Sequence, residues 1–157
     1  MKTSRGDQPP GVDDPVQFYG TVDARVSIYT YELNSMRASL CALSYTWDHE
    51  LFTDIVIAKA KQGIRVRIVA DGRQLEESCE GRNSAWQPTR FFEMINSGVE
   101  VRLMYLKGSK YARQHSKTII IDDATVLTGS CNLTTSGFTE TGNHEHAVRI
   151  RLSLIHI

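Results

Sequence analysis

The stretch RQHSKTIIIDDATVLTGSCN, residues 113–132, gathers side chains that suit attack on a phosphodiester. His115 and Lys117 stand two residues apart at the start of an apolar run. On a strand, side chains two positions apart project to the same face, so the imidazole and the ammonium are predicted to lie side by side. An imidazole can act as a nucleophile and a cation can hold the oxygens of the phosphoryl group. This chemistry requires no metal, and we expect no cofactor.

Polar and small residues continue this pattern after the apolar run. Asp122 lies five residues after Lys117, an odd offset, so its carboxylate is predicted to face away and to fix the turn or a neighbouring loop. Gly129, Ser130 and Asn132 end the next run, where they can bring hydrogen-bond donors close to an anionic oxygen. Strand ends in α/β sheets are common ligand sites, so we expect this edge to hold the site.

The elements before this stretch follow a regular pattern from Arg37 onwards. Residues 38–46 form an apolar run of strand length, and Asp48 is predicted to cap a helix that Gly63 ends. Residues 64–71 alternate as a second strand. This order predicts a β-α-β unit with parallel strands and a right-handed crossover.

The later elements complete a mixed sheet. Residues 72–87 have no clear period and are predicted to form a surface connection, whereas 89–98 fit a short helix and 99–105 a strand. The runs KTIIID and ATVLTG flank an Asp-Asp turn, and HEHAVRI is a predicted last strand. We therefore predict an α/β fold, a mixed sheet flanked by helices in an α-β-α sandwich.

Composition limits the possible classes of protein. The 157 residues are 41% hydrophobic, enough for one ordinary core. Lys plus Arg and Asp plus Glu each total 18, so attraction to a phosphate-bearing partner must come from a local patch. Three cysteines without a C-x-x-C pair argue against a disulfide framework or a structural zinc site. No run has the length of a membrane span. We expect a soluble intracellular protein, with mitochondrial and membrane-peripheral locations left open.

The two ends are set apart from the predicted domain. Residues 1–20 include a segment with three of the four prolines and are predicted to be a disordered leader. The ending LSLIHI, residues 152–157, resembles the translation of a sequencing adapter and is predicted to be non-native. A natural amphipathic tail is the alternative. The domain is then expected to span residues 21–151.

The spacing His-x-Lys-x4-Asp-x6-Gly-Ser-x-Asn resembles the HKD motif of the phospholipase D superfamily at every fixed position. The similarity extends from Arg37 to Arg149 and includes an Asn-x-Glu segment, Asn143 and Glu145. The resemblance implies that Glu145 hydrogen-bonds and orients His115, and that Asn143 lines the substrate site. The small single-motif members, bacterial endonucleases and mitochondrial cardiolipin hydrolases, are the most similar in organisation.

This resemblance implies a mechanism in which one His attacks phosphorus, giving a phosphohistidine, and a second His protonates the leaving oxygen. Because the chain holds one motif, a homodimer is expected to complete the site. The expected activity is hydrolysis of phospholipid, as in a cardiolipin hydrolase. A nuclease with the same site is one alternative, and one half of a longer, two-motif cardiolipin synthase-like transferase is another.

A basic segment, YLKGSKYARQHSK, supplies the predicted local patch. Lys110 and Arg113 are predicted to bind the substrate anion beside the motif, and the tyrosines could stack a base or sit at a lipid headgroup. An ordinary solvated loop is the alternative. His144 and His146 share a strand face and could bind a metal with a third ligand, but a structural or surface role is preferred.

Overall fold

The computed structural model describes residues 15–79, 89–108, 111–142 and 144–152. Lys110, Asn143, most of the predicted leader and residues 153–157 lie outside this description. The elements, in chain order, are β1 Val16–Tyr19, α1 Val22–Ser35, β2 Ser39–Ser44, α2 Glu50–Lys61, β3 Arg65–Asp71, α3 Gly72–Cys79, α4 Thr89–Asn96, β4 Glu100–Met104, β5 Lys117–Ile121, β6 Thr125–Gly129, a 3-10 turn Thr135–Phe138, and β7 Ala147–Arg151.

The strands form one mixed sheet in the order β1-β7-β6-β5-β2-β3-β4. Strands β2, β3 and β4 run parallel, and all other neighbours are antiparallel. The predicted mixed α/β architecture, a sheet flanked by helices, is confirmed. At one edge, called here the site edge, the carboxyl ends of β2, β3, β4 and β6 meet the amino ends of β5 and β7.

The core lies between one face of the sheet and the helices. Alternate strand residues point into it, among them Leu40, Ile68, Ile119 and Leu127, all essentially inaccessible to solvent. Helices α1, α2 and α4 add further buried side chains, including Ile28, Leu33, Phe52 and Phe91. Most alternate residues on the opposite face are half-buried or exposed, and the buried exceptions are Ser39 and Asp71, at strand ends. The apolar alternation seen in the sequence therefore fixes which strand positions face the helices.

Two segments differ from the sequence prediction. Residues 72–79, predicted to be a surface connection, form α3, because the Asp71 carboxylate accepts the Gln74 N–H at 2.7 Å and so caps a polar helix. Residues 16–19, assigned to a disordered leader, form β1, which pairs with β7 from Val16 to Tyr19. The cap of α3 is local and was overlooked in a polar segment, whereas the partner of β1 is β7, which is distant along the chain, so the local pattern does not reveal it.

The predicted cap of α2 is also corrected. The N-cap is His49, without a side-chain hydrogen bond. The Asp48 carboxylate instead accepts the backbone N–H of Thr135 at 2.8 Å, tying the start of α2 to the segment that follows β6. Two backbone N–H groups in this region, those of Asp48 and His49, donate to the Leu133 carbonyl. Asp48 is a hydrogen-bond acceptor at this point of the chain, as predicted, but its partner is Thr135, which is far away along the chain.

Candidate active site

His115 and Lys117 lie together at the site edge. Lys117 opens β5, and its Nζ donates to the main-chain carbonyl of His115 at 2.8 Å. The Tyr45 ring, just beyond the end of β2, contacts both side chains: its centroid is 4.6 Å from that of the His115 ring and 5.3 Å from Lys117 Nζ. The second contact is a cation–π interaction. Tyr45, which sequence reasoning missed, thus joins the predicted imidazole and ammonium into one cluster.

The electrostatics of this cluster favour a neutral imidazole. Partial burial lowers the pKa of His115, and the nearby Lys117 ammonium lowers it further, whereas Asp71 opposes both effects. Burial also lowers the pKa of Lys117, against the opposing charge of Glu145. His115 is exposed on the protein surface. A neutral and accessible imidazole is the form that can attack an electrophile.

Asp122 lies at the opposite end of β5, away from the cluster. Its Oδ1 accepts the N–H groups of Ala38 and Ser39, and its Oδ2 accepts that of Arg37, each at 2.8 Å. The prediction that it faces away from Lys117 and fixes a neighbouring loop is confirmed. Asp122 therefore holds the start of β2 and does not contact His115 or Lys117.

The turn around Asp122 also depends on an unusual backbone conformation. Asp122 and Asp123 have φ values of 53° and 54°, in the left-handed region, and form the centre of a tight turn that the Ala124 N–H closes by donating to the Ile121 carbonyl. Asp and Asn tolerate this conformation better than most residues. The two aspartates therefore set the register between β5 and β6, and with it the position of Lys117 at the other end of β5.

The Gly-Ser-x-Asn segment closes the end of β6 against the chain that leads into β7. A Cβ on Gly129 would lie 2.2 Å from the His146 carbonyl oxygen, so only glycine fits this close approach. Ser130 Oγ accepts the His146 N–H at 3.0 Å and lies 3.3 Å from the ring nitrogen Nδ1. The predicted surface histidine His146 therefore positions Ser130, and the Ser130 hydroxyl is already engaged.

Asn132 has a different environment from Ser130. Its Oδ1 is buried and has no hydrogen-bond partner among the described residues. A buried amide oxygen without a partner is costly, so it is usually satisfied by a water or a ligand. Asn132 is therefore the motif residue whose side chain is most open to a further polar contact.

Among the described residues of the single chain, no hydrogen bond joins Glu145 to His115, and the predicted pairing stays a prediction for the dimer. The Glu145 carboxylate is buried and acts on Lys117, whose pKa it raises against the effect of burial. Its carbonyl accepts the Nη1 of buried Arg25 at 2.7 Å, which fixes the backbone at this point. The path of the segment between β6 and β7 brings Glu145 towards the Lys117 ammonium.

Asp71, at the carboxyl end of β3, is a positioning residue that sequence reasoning missed. It is 2% exposed, and its Oδ2 accepts the Gln114 N–H at 2.6 Å, immediately before His115. Arg113, predicted to bind substrate, lies with Nε 3.8 Å from Asp71 Oδ1 and Nη2 2.6 Å from Glu77. These contacts of Arg113 hold the segment before His115 in place. The sequence feature that could have identified Asp71 is an acidic residue at the end of a buried strand.

The remaining reactive groups at this edge are not arranged for metal binding or thiol chemistry. Among the residues described, no three His, Cys, Asp or Glu side chains are grouped so as to hold a metal ion. The alternative metal site at His144 and His146 thus finds no third ligand there. Cys131 is buried, and burial raises the pKa of its thiol to about 11, so it remains protonated at neutral pH.

Known proteins with a similar sequence and fold agree with the chemistry that the site geometry favours. Residues 29–155 match the family described as "Cardiolipin synthase, PLD-like domain". The chain belongs to the phospholipase D superfamily. It is a phosphodiesterase-like domain of that superfamily, as the HKD spacing predicted. No helix in the described ranges is both long and apolar enough to cross a membrane.

Individual relatives differ in how much of their length is matched. Cardiolipin synthase A of Proteus mirabilis (strain HI4320) is 25% identical over 123 residues, which make up 75% of this chain and 25% of that protein. Nuc from Salmonella typhimurium, a phospholipase D family member, has a TM-score of 0.65 and 29% identity, with 87% of this chain and 82% of Nuc covered. NucT from Helicobacter pylori (TM-score 0.63, 19% identity, 87% and 84% covered) shares the fold. The chain therefore spans a quarter of the curated relative but most of Nuc.

Proposed function

We propose that this chain is a metal-independent phosphodiesterase that hydrolyses phospholipids, similar to a cardiolipin hydrolase. The observation that carries the proposal is the accessible imidazole of His115, with a lowered pKa, beside the Lys117 ammonium at the site edge. A neutral imidazole can attack phosphorus, and the cation beside it can stabilise the negative charge that develops on the phosphoryl oxygens. The family match to a cardiolipin synthase domain supports a phospholipid substrate.

The reaction is proposed to proceed in two displacements. In the first, a ring nitrogen of His115 forms a bond to phosphorus while the P–O bond to the leaving alcohol breaks. A second, protonated histidine gives its proton to that leaving oxygen. In the second displacement the same histidine takes a proton from water, the water oxygen attacks phosphorus, and the P–N bond breaks to release the phosphomonoester. Lys117 holds the phosphoryl oxygens in both steps, and the Asn132 amide can contact them.

The second histidine is proposed to be His115 of another copy of the chain, in a symmetric homodimer. Each site then needs two intact subunits. If wild-type chain is mixed with an equal amount of His115→Ala and the subunits exchange, about one quarter of the dimers hold both histidines, so the activity falls to about one quarter of that of an all-wild-type sample. Independent sites in single subunits would retain about half. The measured fraction separates the two arrangements.

The substrate is tested by parallel hydrolysis assays. The purified chain is incubated, with EDTA present, with cardiolipin vesicles and with labelled single-stranded DNA, each against His115→Ala. We expect lipid cleavage by the wild-type chain, no cleavage by the variant, and no effect of EDTA. Cleavage of DNA alone would place the activity with nucleases and overturn the lipid proposal. Activity that EDTA abolishes would overturn the metal-independent mechanism.

A second candidate is one half of a two-motif transferase, in which an alcohol rather than water accepts the phosphoryl group. The observation that favours it is the match to a quarter of the length of Cardiolipin synthase A. The complete transcript tests this candidate: a second His-x-Lys motif in the same reading frame would support it and would replace the homodimer. Product analysis with added phosphatidylglycerol would then show transfer to that acceptor in place of hydrolysis.

A further inference from the structure

Four consecutive apolar side chains are exposed just where β4 ends. Leu103, Met104, Tyr105 and Leu106, called here the apolar rim, are 41%, 38%, 49% and 37% exposed. A strand that packs on one face normally alternates between buried and exposed residues, and β4 loses that alternation here. Contiguous exposed apolar surface of this kind is uncommon on soluble proteins unless it contacts another surface.

The apolar rim lies at the site edge. Met104 pairs in register with Asp71, and Asp71 accepts the N–H of Gln114, the residue before His115. Helix α4 leads into β4 and runs back along the sheet, so its first turn, with Phe92 at 55% exposure, is placed at the same edge. With three strand spacings of about 4.8 Å, the rim is roughly 14 Å from Lys117.

The apolar rim is held in place by α3. The Tyr105 ring packs over Gly72, where an added Cβ would lie 2.3 Å from the ring, and its hydroxyl donates to Glu76 at 2.8 Å. Arg73 Nη2 donates to the Leu106 carbonyl at 3.3 Å. These contacts fix the backbone of the segment, so the exposed leucines are presented by a supported surface.

The charges beside the apolar rim suit an anionic partner. Lys107 follows it directly, is exposed, and has no ion pair within the described ranges. Of the two acidic neighbours on α3, Glu77 is paired with the Arg113 cation, and Glu76 accepts the Tyr105 hydroxyl and keeps its charge, which Arg73 on the same helix offsets. Apolar side chains flanked by Tyr and Lys match the layered chemistry of a membrane interface, in which acyl chains lie below anionic headgroups.

We infer that the apolar rim docks the chain on the surface of an anionic phospholipid bilayer. Leu103 and Leu106 enter the boundary between headgroups and acyl chains, Tyr105 lies at the headgroup level, and Lys107 contacts lipid phosphate. The inference rests on the proposed lipid phosphodiesterase function and deepens it. Docking in this orientation would turn the His115 cluster towards headgroup phosphates without extraction of a whole lipid.

Vesicle binding tests the inference without any turnover. His115→Ala chain, in which the proposed nucleophile is absent, is sedimented with phosphatidylcholine vesicles that contain or lack cardiolipin. Adding Leu103→Ser and Leu106→Ser should lower the partition coefficient at least tenfold, because both side chains lose their apolar contact with lipid. Lys107→Glu should weaken binding to the cardiolipin vesicles and leave binding to pure phosphatidylcholine unchanged.

The matched control is the pair Val16→Ser and Phe18→Ser on β1, at the other end of the sheet, where the side chains are 49% and 77% exposed. This pair should bind vesicles as well as its parent, and circular dichroism checks that all variants are folded. Equal losses in rim and control variants, or no vesicle binding by the parent, would overturn the inference. So would a rim variant that loses single-stranded DNA binding while it keeps vesicle binding.

A soluble substrate separates this inference from the proposed function. With His115 intact, the Leu103→Ser and Leu106→Ser variant should cleave bis(p-nitrophenyl) phosphate at the wild-type rate and cardiolipin vesicles more slowly. Failure of the wild-type chain to cleave either substrate would count against the proposed function, whereas the vesicle-binding results would still decide whether the rim docks. If the rim variant cleaves both the vesicles and the soluble diester at the wild-type rates, that result would count against docking and leave the proposed function standing.

Discussion

Replacing Asp122 by Asn should destabilise the fold and leave the chemistry intact. The carboxylate accepts three main-chain N–H groups, from Arg37, Ala38 and Ser39, each at 2.8 Å. An Asn side chain keeps one acceptor oxygen but turns the other into an NH2 donor. In one orientation this donor faces the Arg37 N–H, and in the flipped orientation it faces the other two N–H groups. Asn also tolerates the left-handed backbone at this position, so the change tests the hydrogen bonds rather than the turn.

The expected loss of stability follows from these contacts. Hydrogen bonds to a charged group contribute about 1.5–3 kcal/mol each, but Asp122 is partly exposed and water competes for its oxygens, which reduces the value. With one bond lost and two weakened, the free energy of unfolding should fall by about 2 kcal/mol. For a chain of this size that is a decrease in Tm of about 4–8 °C.

Thermal and urea unfolding at neutral pH measure this change, and Asp123→Asn is the matched control. Asp123 has the same backbone conformation and makes no recorded side-chain hydrogen bond in the described residues, so its variant should differ from wild type by less than about 0.5 kcal/mol. Activity per folded molecule of Asp122→Asn should equal that of wild type. An unchanged stability, or a loss of turnover without a loss of stability, would refute the positioning role of Asp122.

The effect of Asp122 should also depend on pH. Partial burial raises its pKa, but the hydrogen bonds from Ser39, Ala38 and Arg37, together with Lys59, outweigh burial and lower it overall. A carboxyl group with a lowered pKa contributes stability above its unfolded pKa of about 3.9 and loses it as the pH falls through the folded value. The stability difference between wild type and Asp122→Asn should therefore be full at neutral pH and shrink below about pH 4.

Three further predictions concern the cluster itself. His115→Ala should abolish hydrolysis of bis(p-nitrophenyl) phosphate with no loss of Tm, since the side chain is exposed; a near-normal rate would exclude it as nucleophile. Lys117→Ala should lower kcat/KM by about 10²–10³, which corresponds to about 2.7–4 kcal/mol, if its effect resembles the loss of one oxyanion-hole donor. Steady-state assays measure this change, and a small effect would exclude a role of Lys117 in holding the phosphoryl oxygens. The acid limb of the kcat/KM profile should lie below pH 6.5, because the pKa of His115 is lowered, and the alkaline limb should report loss of the proton from the second histidine; a profile without an alkaline limb would argue against a histidine as general acid.

Much of the sheet could be predicted from local pattern. The alternation of apolar residues identified β2, β3, β4 and the β5-β6 hairpin, and the odd offset from Lys117 gave the correct face for Asp122. Helix α1 gave no such signal, because two of its buried residues are charged. Arg25 donates to the Gly20 and Glu145 carbonyls, and Glu32 pairs with buried Arg149 on β7 at 3.3 Å. Only the tertiary partners make burial of these side chains acceptable.

The candidate site could likewise be predicted only in part from local sequence. The residue types and their spacing placed the imidazole and the ammonium together, since both belong to one strand and its approach. Tyr45, Asp71 and Glu145 lie on other strands and loops. Their distance along the sequence from His115 and Lys117 does not indicate which side chain or N–H group each of them contacts. For this reason the sequence did not indicate the electrostatic effect of Glu145 on Lys117, and Asp71 was missed.

The most direct test of the proposed mechanism is to trap the covalent intermediate on His115. The chain is mixed with cardiolipin vesicles, quenched in alkali, in which a phosphohistidine is stable, digested, and analysed by mass spectrometry. A phospholipid phosphoryl adduct is expected on the peptide that contains His115, and it should be absent from the His115→Ala variant. An adduct on another residue such as Ser130, or continued turnover by the variant, would contradict the proposed mechanism.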